Sequence, residues 1–112
     1  MVQFESALER DCIAFLASRD GFRRIESQPI SITFTHGGRG RRYIPDFLAI
    51  FDQLPDALAH LGFGPETYVE VKYADQAAAD RDLIAARLRA LSSETGIPAV
   101  LLDETIIRAD RW

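Results

Sequence analysis

At 112 residues the chain is long enough to bury one sizeable core and short for two, and 47% hydrophobic with 27% charged residues excludes a disordered polymer. Thirteen basic against seventeen acidic residues, a net charge of −4, argue against tight autonomous binding to nucleic acid. No apolar run approaches the ~20 residues that cross a bilayer and no signal-peptide pattern opens the chain, so one cytoplasmic domain over 1–112 is expected.

Residues 3–18 repeat Phe4, Leu8, Cys12, Phe15 and Leu16 at the helical period, which predicts an amphipathic helix ended by Gly21. On its wheel Glu5 falls between Cys12 and Leu16, and Glu9 between Leu16 and Ile13, so both acids point into or beside the buried arc. A first-turn position suits Glu5 through the helix dipole, while Glu9 could snorkel or pair with an arginine. The lone Cys12 allows neither an internal disulfide nor a zinc site with the scattered His36 and His60, and it is expected in the core.

Residues 23–35 alternate as a strand, with Ile30, Ile32 and Phe34 on one face and Ser31, Thr33 and Thr35 on the other. The run His36-Gly37-Gly38-Arg39-Gly40 then predicts a tight turn into a second strand over 41–51. Pro45 cannot donate to a ladder, which puts that strand at an edge or bulges it near Asp46. Residues 52–66 read as a connection with room for a short helix around Leu54, Leu58 and Leu61. A strand over 67–73 follows, then a helix over 75–94 with Ala77, Ile84, Leu88 and Leu91 inward and Gly96 as its cap. An apolar strand over 97–102 and a last turn capped by Asp103 complete an α-β-β-β-α-β order, an α/β fold with a mixed sheet flanked by helices.

Two of these strands carry charges that a core does not want. Asp46 stands alone in the apolar row Ile44, Asp46, Leu48, Ile50, and such a charge needs a partner or a metal. On the third strand Glu70 and Lys72 project together while Val69, Val71 and Tyr73 project the other way. Two carboxylates beside one lysine suit phosphodiester cleavage. A cross-strand Asp46–Lys72 or Glu70–Lys72 salt bridge would use the same residues structurally, although two acids for one lysine leave an excess negative charge.

Pro45-Asp46 followed by Glu70-Val71-Lys72 matches the signature of the PD-(D/E)XK nucleases. With Glu5-Ser6-Ala7-Leu8-Glu9 opening a helix, Gln28-Pro29-Ile30 entering a strand and Arg42-Tyr43-Ile44-Pro45-Asp46-Phe47-Leu48, nearly the whole chain resembles the amino-terminal catalytic domain of TnsA-type transposon endonucleases and their phage-borne relatives. The resemblance implies a restriction-endonuclease-like core and Mg²⁺-dependent cleavage of DNA, with Mn²⁺ as a substitute, by in-line attack leaving a 5′-phosphate and a 3′-hydroxyl. It implies Asp46, Glu70 and the Val71 backbone carbonyl as metal ligands, Glu9 as a helix-borne acid acting directly or through water, and Lys72 as the group that orients or deprotonates the attacking water.

Arg39, Arg41 and Arg42 flank the glycine turn and could fork onto phosphates, as a solvated hairpin tip could equally carry them. Gln28 matches the family pattern or serves a turn, and Trp112 packs the final turn. The transposon proteins carry a further carboxy-terminal domain, whereas this chain ends soon after its last strand, so target choice is expected from a protein partner, with a homodimer left open. The alternative is a catalytically inactive nuclease scaffold that docks on DNA or protein.

Overall fold

Ser6 starts the first helix, because its hydroxyl accepts the Glu9 amide at 3.1 Å and satisfies one of the donors a helix start leaves over. Glu9 stands at the third helical position, so Ser6-x-x-Glu9 has the spacing of a capping box. The computed structural model describes residues 6–109, so the expectations for Phe4, Glu5 and Trp112 lie outside the described residues. The elements are α1 (Ala7–Ala17), β1 (Phe22–Ser27), β2 (Ile32–His36), β3 (Arg39–Tyr43), β4 (Phe47–Phe51), α2 (Asp56–Ala59), β5 (Glu66–Val71), α3 (Ala74–Ala79), α4 (Arg81–Thr95), β6 (Ala99–Leu102) and α5 (Glu104–Ile107).

The two strands expected over 23–35 and 41–51 are each broken once, and this is the main correction to the sequence reading. β1 pairs antiparallel with β4 in a four-stranded sheet of order β1-β4-β5-β6, while β2 pairs with β3 in a separate two-stranded ribbon. Gly37 and Gly38, both at positive φ, close that ribbon between the paired His36 and Arg39. Pro45 sits in the break between β3 and β4, so it neither bulges a strand nor marks an edge: β4 is an interior strand. Opposite it, Gln28 takes φ +45 and donates its amide to the Asp46 carbonyl at 2.9 Å. The long hairpin bends at this pair of breaks and leaves the plane of the main sheet.

β5 runs antiparallel to β4 and parallel to β6, which makes the sheet mixed, and helices cover both faces. Phe47, Ala49 and Phe51 with Val69 and Val71 pack against Leu8, Cys12 and Leu16 of α1, and Leu58 and Ile107 close that core. The opposite face buries Tyr68 with Leu91 of α4 and with Ile32, Phe34 and Tyr43 of the ribbon. Alternation along β4 and β5 thus feeds two cores. Asp11 and Arg108 pin α5 to α1 at 2.9 Å. The helix expected over 75–94 is interrupted at Asp80, and Gly96 at φ +72 caps α4 as expected. Asp103 accepts the Thr105 amide and starts α5. Among the described residues, no helix is long and apolar enough to cross a membrane.

Candidate active site

The ladder between β4 and β5 ends at the pair Phe47 and Val69, and one residue further along each strand stand Asp46 and Glu70. Where β4 would have offered a carbonyl, the Asp46 side chain does so instead, and its Oδ2 accepts the Val71 amide at 2.8 Å. The break at Pro45 therefore turns a would-be strand residue into a side-chain acceptor across the end of β5. Burial pushes the Asp46 carboxyl up to about 6; the Val71 hydrogen bond opposes this, the Glu70 charge adds to it, and Lys72 and Arg87 oppose it.

Glu70 is 4% exposed and lies at the carboxyl end of β5. Arg87 of α4 grips both its oxygens, with Nε donating to Oε2 at 3.1 Å and Nη2 to Oε1. Burial raises the Glu70 carboxyl, and Arg87, then Lys72, then Tyr43 oppose the rise. The Arg87 guanidinium lies 4.8 Å from the centre of the Tyr43 ring, a cation–π distance. The Tyr43 hydroxyl is buried near Glu70 outside ordinary hydrogen-bond geometry, and burial followed by that carboxylate pushes the phenol up.

Lys72 directly follows β5 and is half-buried, and its amide holds the Leu102 carbonyl at 3.2 Å. Its charge is felt by both Asp46 and Glu70, yet among the described residues it makes no ion pair, so the salt bridge that the structural reading assigns to Lys72 belongs to Arg87. Glu9 is half-buried on α1, one turn before Cys12. The Cys12 thiol is pushed up by burial, then by the charge of Asp46 and then by that of Glu9. Asp46 and Glu9 both act on Cys12 of α1, while Glu70 is held by Arg87 of α4.

Whether the site suits a divalent cation turns on its donors. Among the described residues no group of three or more His, Cys, Asp or Glu side chains is arranged to hold a metal. Two neighbouring carboxylates remain, Glu70 buried and Asp46 half-buried, and they fit Mg²⁺, which is commonly bound through one or two carboxylates with water and phosphate filling the rest of its shell.

The arginines of the turn do not form one patch. Arg39 and Arg41 pair with His36 and Phe34 on the Tyr43 side of the ribbon, whereas Arg42 pairs with Thr33 on the other side and donates to Ser31 Oγ at 2.9 Å. Arg41 Nε reaches the His36 carbonyl at 3.4 Å. Gln28 serves the bend through its backbone, and His36 and His60 lie at element ends. Arg87 is the residue that reading the sequence missed, although Ile84, Arg87 and Leu91 stand on one inward helical stripe and a lone cation there is a detectable signal. Comparison with protein-family models, curated proteins and solved structures gives no match.

Proposed function

We propose that the chain is a Mg²⁺-dependent endonuclease domain of the PD-(D/E)XK type, with a restriction-endonuclease-like core resembling that of TnsA-type proteins, acting on DNA in the cytoplasm. The observation that carries this reading is the juxtaposition of Asp46 and Glu70 at the end of β5, where the carboxyl of Asp46 is held up near 6 by desolvation and by its neighbour. Neighbouring carboxylates repel unless a proton or a cation intervenes, and Arg87 pairs with Glu70 and not with Asp46.

In this reading Asp46, Glu70 and the Val71 carbonyl would hold the cation, and Glu9 would join directly or through water from α1. A divalent cation bound there supplies neutralisation of charge on the phosphoryl oxygens and the leaving oxygen. Lys72, next to both acids but paired with neither, is left to orient the attacking water and take its proton. Arg39, Arg41 and Arg42 contact the phosphate backbone from both faces of the ribbon, DNA being the substrate and a protein partner supplying target choice. Cleavage of plasmid DNA in Mg²⁺ or Mn²⁺ tests this, with EDTA, Ca²⁺ and the Lys72→Ala variant as controls. Equal cleavage by Lys72→Ala and wild type would remove the assignment.

One observation favours a second reading, a scaffold that binds without cutting: Arg87 already neutralises Glu70. That reading expects no change in thermal stability on adding Mn²⁺.

A further inference from the structure

Both oxygens of Glu70 are engaged by one guanidinium, and the pair is sheltered, with 5% of the Glu70 side chain and 17% of the Arg87 side chain exposed. Asp46, directly across the ladder, accepts from a backbone amide and makes no ion pair among the described residues. A dication approaching the two carboxylates would meet one acid already neutralised, with a fixed positive charge behind it. In a site this dry, two cations that need the same carboxylate oppose each other strongly. Arg87 also has somewhere to go: its guanidinium lies over the Tyr43 ring, and a long arginine stem can leave Glu70 while staying on that face.

From this geometry we infer that Arg87 is an exchangeable counter-ion for Glu70, a positioning residue that holds the acid in the cation-free protein and is displaced when a divalent cation binds between Asp46 and Glu70. The inference rests on the cation-dependent reading above and adds to it a built-in antagonism between α4 and the metal. It requires that weakening the Arg87 grip strengthen cation binding. A merely structural pair requires no such gain.

The experiment is titration of Mn²⁺ into the wild-type chain, Arg87→Lys, Arg87→Met and Asp46→Asn, with binding followed by calorimetry and by thermal melts. Lysine keeps the charge but loses the bidentate fork, so it preserves folding while loosening the hold. The expected order of Mn²⁺ affinity is Arg87→Met, then Arg87→Lys, then wild type, with a gain on the order of 10-fold for removal of the charge, a typical size for coupling between two binding events. Asp46→Asn should lose binding. If Arg87→Met does not fold without metal, Arg87→Lys alone decides, and its affinity must still exceed that of wild type. Equal affinity in wild type and Arg87→Lys, with binding lost in Asp46→Asn, overturns the exchange and leaves the proposed function standing. No Mn²⁺ binding by any variant overturns the proposed function itself.

Discussion

Replacing Asp46 by Asn removes a half-buried negative charge and keeps an oxygen that can accept the Val71 amide at the 2.8 Å position. The magnitude follows from the carboxyl itself, which rises from 3.8 to about 6 on folding, chiefly through burial. A rise of about two pH units, at about 1.4 kcal/mol each, corresponds to roughly 3 kcal/mol of destabilisation carried by the charged form. An acid raised on folding binds its proton more tightly in the folded state, so wild-type stability falls as the pH climbs from about 4 to about 6 and stays lowered above. Asparagine carries no proton to lose. The two proteins should match near pH 4, and the variant should be the more stable one at pH 8 by up to about 3 kcal/mol, a Tm gain on the order of 10 °C for a chain of this size. Partial exposure of Asp46 screens the charge and makes this an upper value.

Urea and thermal unfolding in EDTA at pH 4, 6 and 8 measure the difference directly. A variant that is less stable at pH 8 would refute the reasoning by making the Asp46 charge a stabilising partner, and a difference that ignores pH would refute it by showing that folding leaves the Asp46 carboxyl unperturbed. Adding Mn²⁺ should then reverse the order, raising the wild type and leaving Asp46→Asn where it was.

Arg87→Met, studied without metal, leaves Glu70 buried and uncompensated and should cost about 3–5 kcal/mol, readable as a lower urea midpoint. Lys72→Ala breaks no ion pair and should change stability by less than about 1 kcal/mol while cleavage is lost, which separates chemistry from folding. Gln28→Gly relieves a left-handed backbone and should stabilise by roughly 0.5–1 kcal/mol with cleavage intact, so a loss of cleavage would give the Gln28 side chain a role beyond the bend. DNA binding by the acidic chain should be weak, indifferent to sequence and steeply reduced by salt, as titrations of labelled duplex at two ionic strengths would show.

The helix over α1, the glycine turn, the caps at Gly96 and Asp103 and the strand bearing Glu70 are legible because each is set by local periodicity or local backbone chemistry. The breaks at 28–31 and 44–46 are not, since alternation runs through them: Ile30, Ile32 and Phe34 look like one face, and so do Phe47 and Ala49 with Pro45. What separates β2 and β3 from the main sheet is tertiary. The Gln28 amide has to find the Asp46 carbonyl, and the ribbon buries Ile32, Phe34 and Tyr43 against α4 and β5. The same long range hides Arg87. Its partner is seventeen residues away, and only the fold brings an inward cation on α4 against an inward acid on β5.

The break at Pro45 and the ion pair at Arg87 act on the two acids in opposite ways. Pro45 ends the backbone ladder and frees Asp46 to face the end of β5 as a side chain, where among the described residues it makes no ion pair and burial outweighs the pull of Lys72 and Arg87, so its charge is left costly. Arg87 removes the corresponding cost at Glu70. If both acids were structural, selection for stability would favour a neutral residue at Asp46, where an amide could keep the Val71 hydrogen bond. If both served a cation with no other constraint, Glu70 would need no arginine. The asymmetry is what the proposed cation site would require: one acid stabilised in the cation-free protein and the other left strained, so that binding would be driven by relief of the second and limited by displacement of Arg87 from the first.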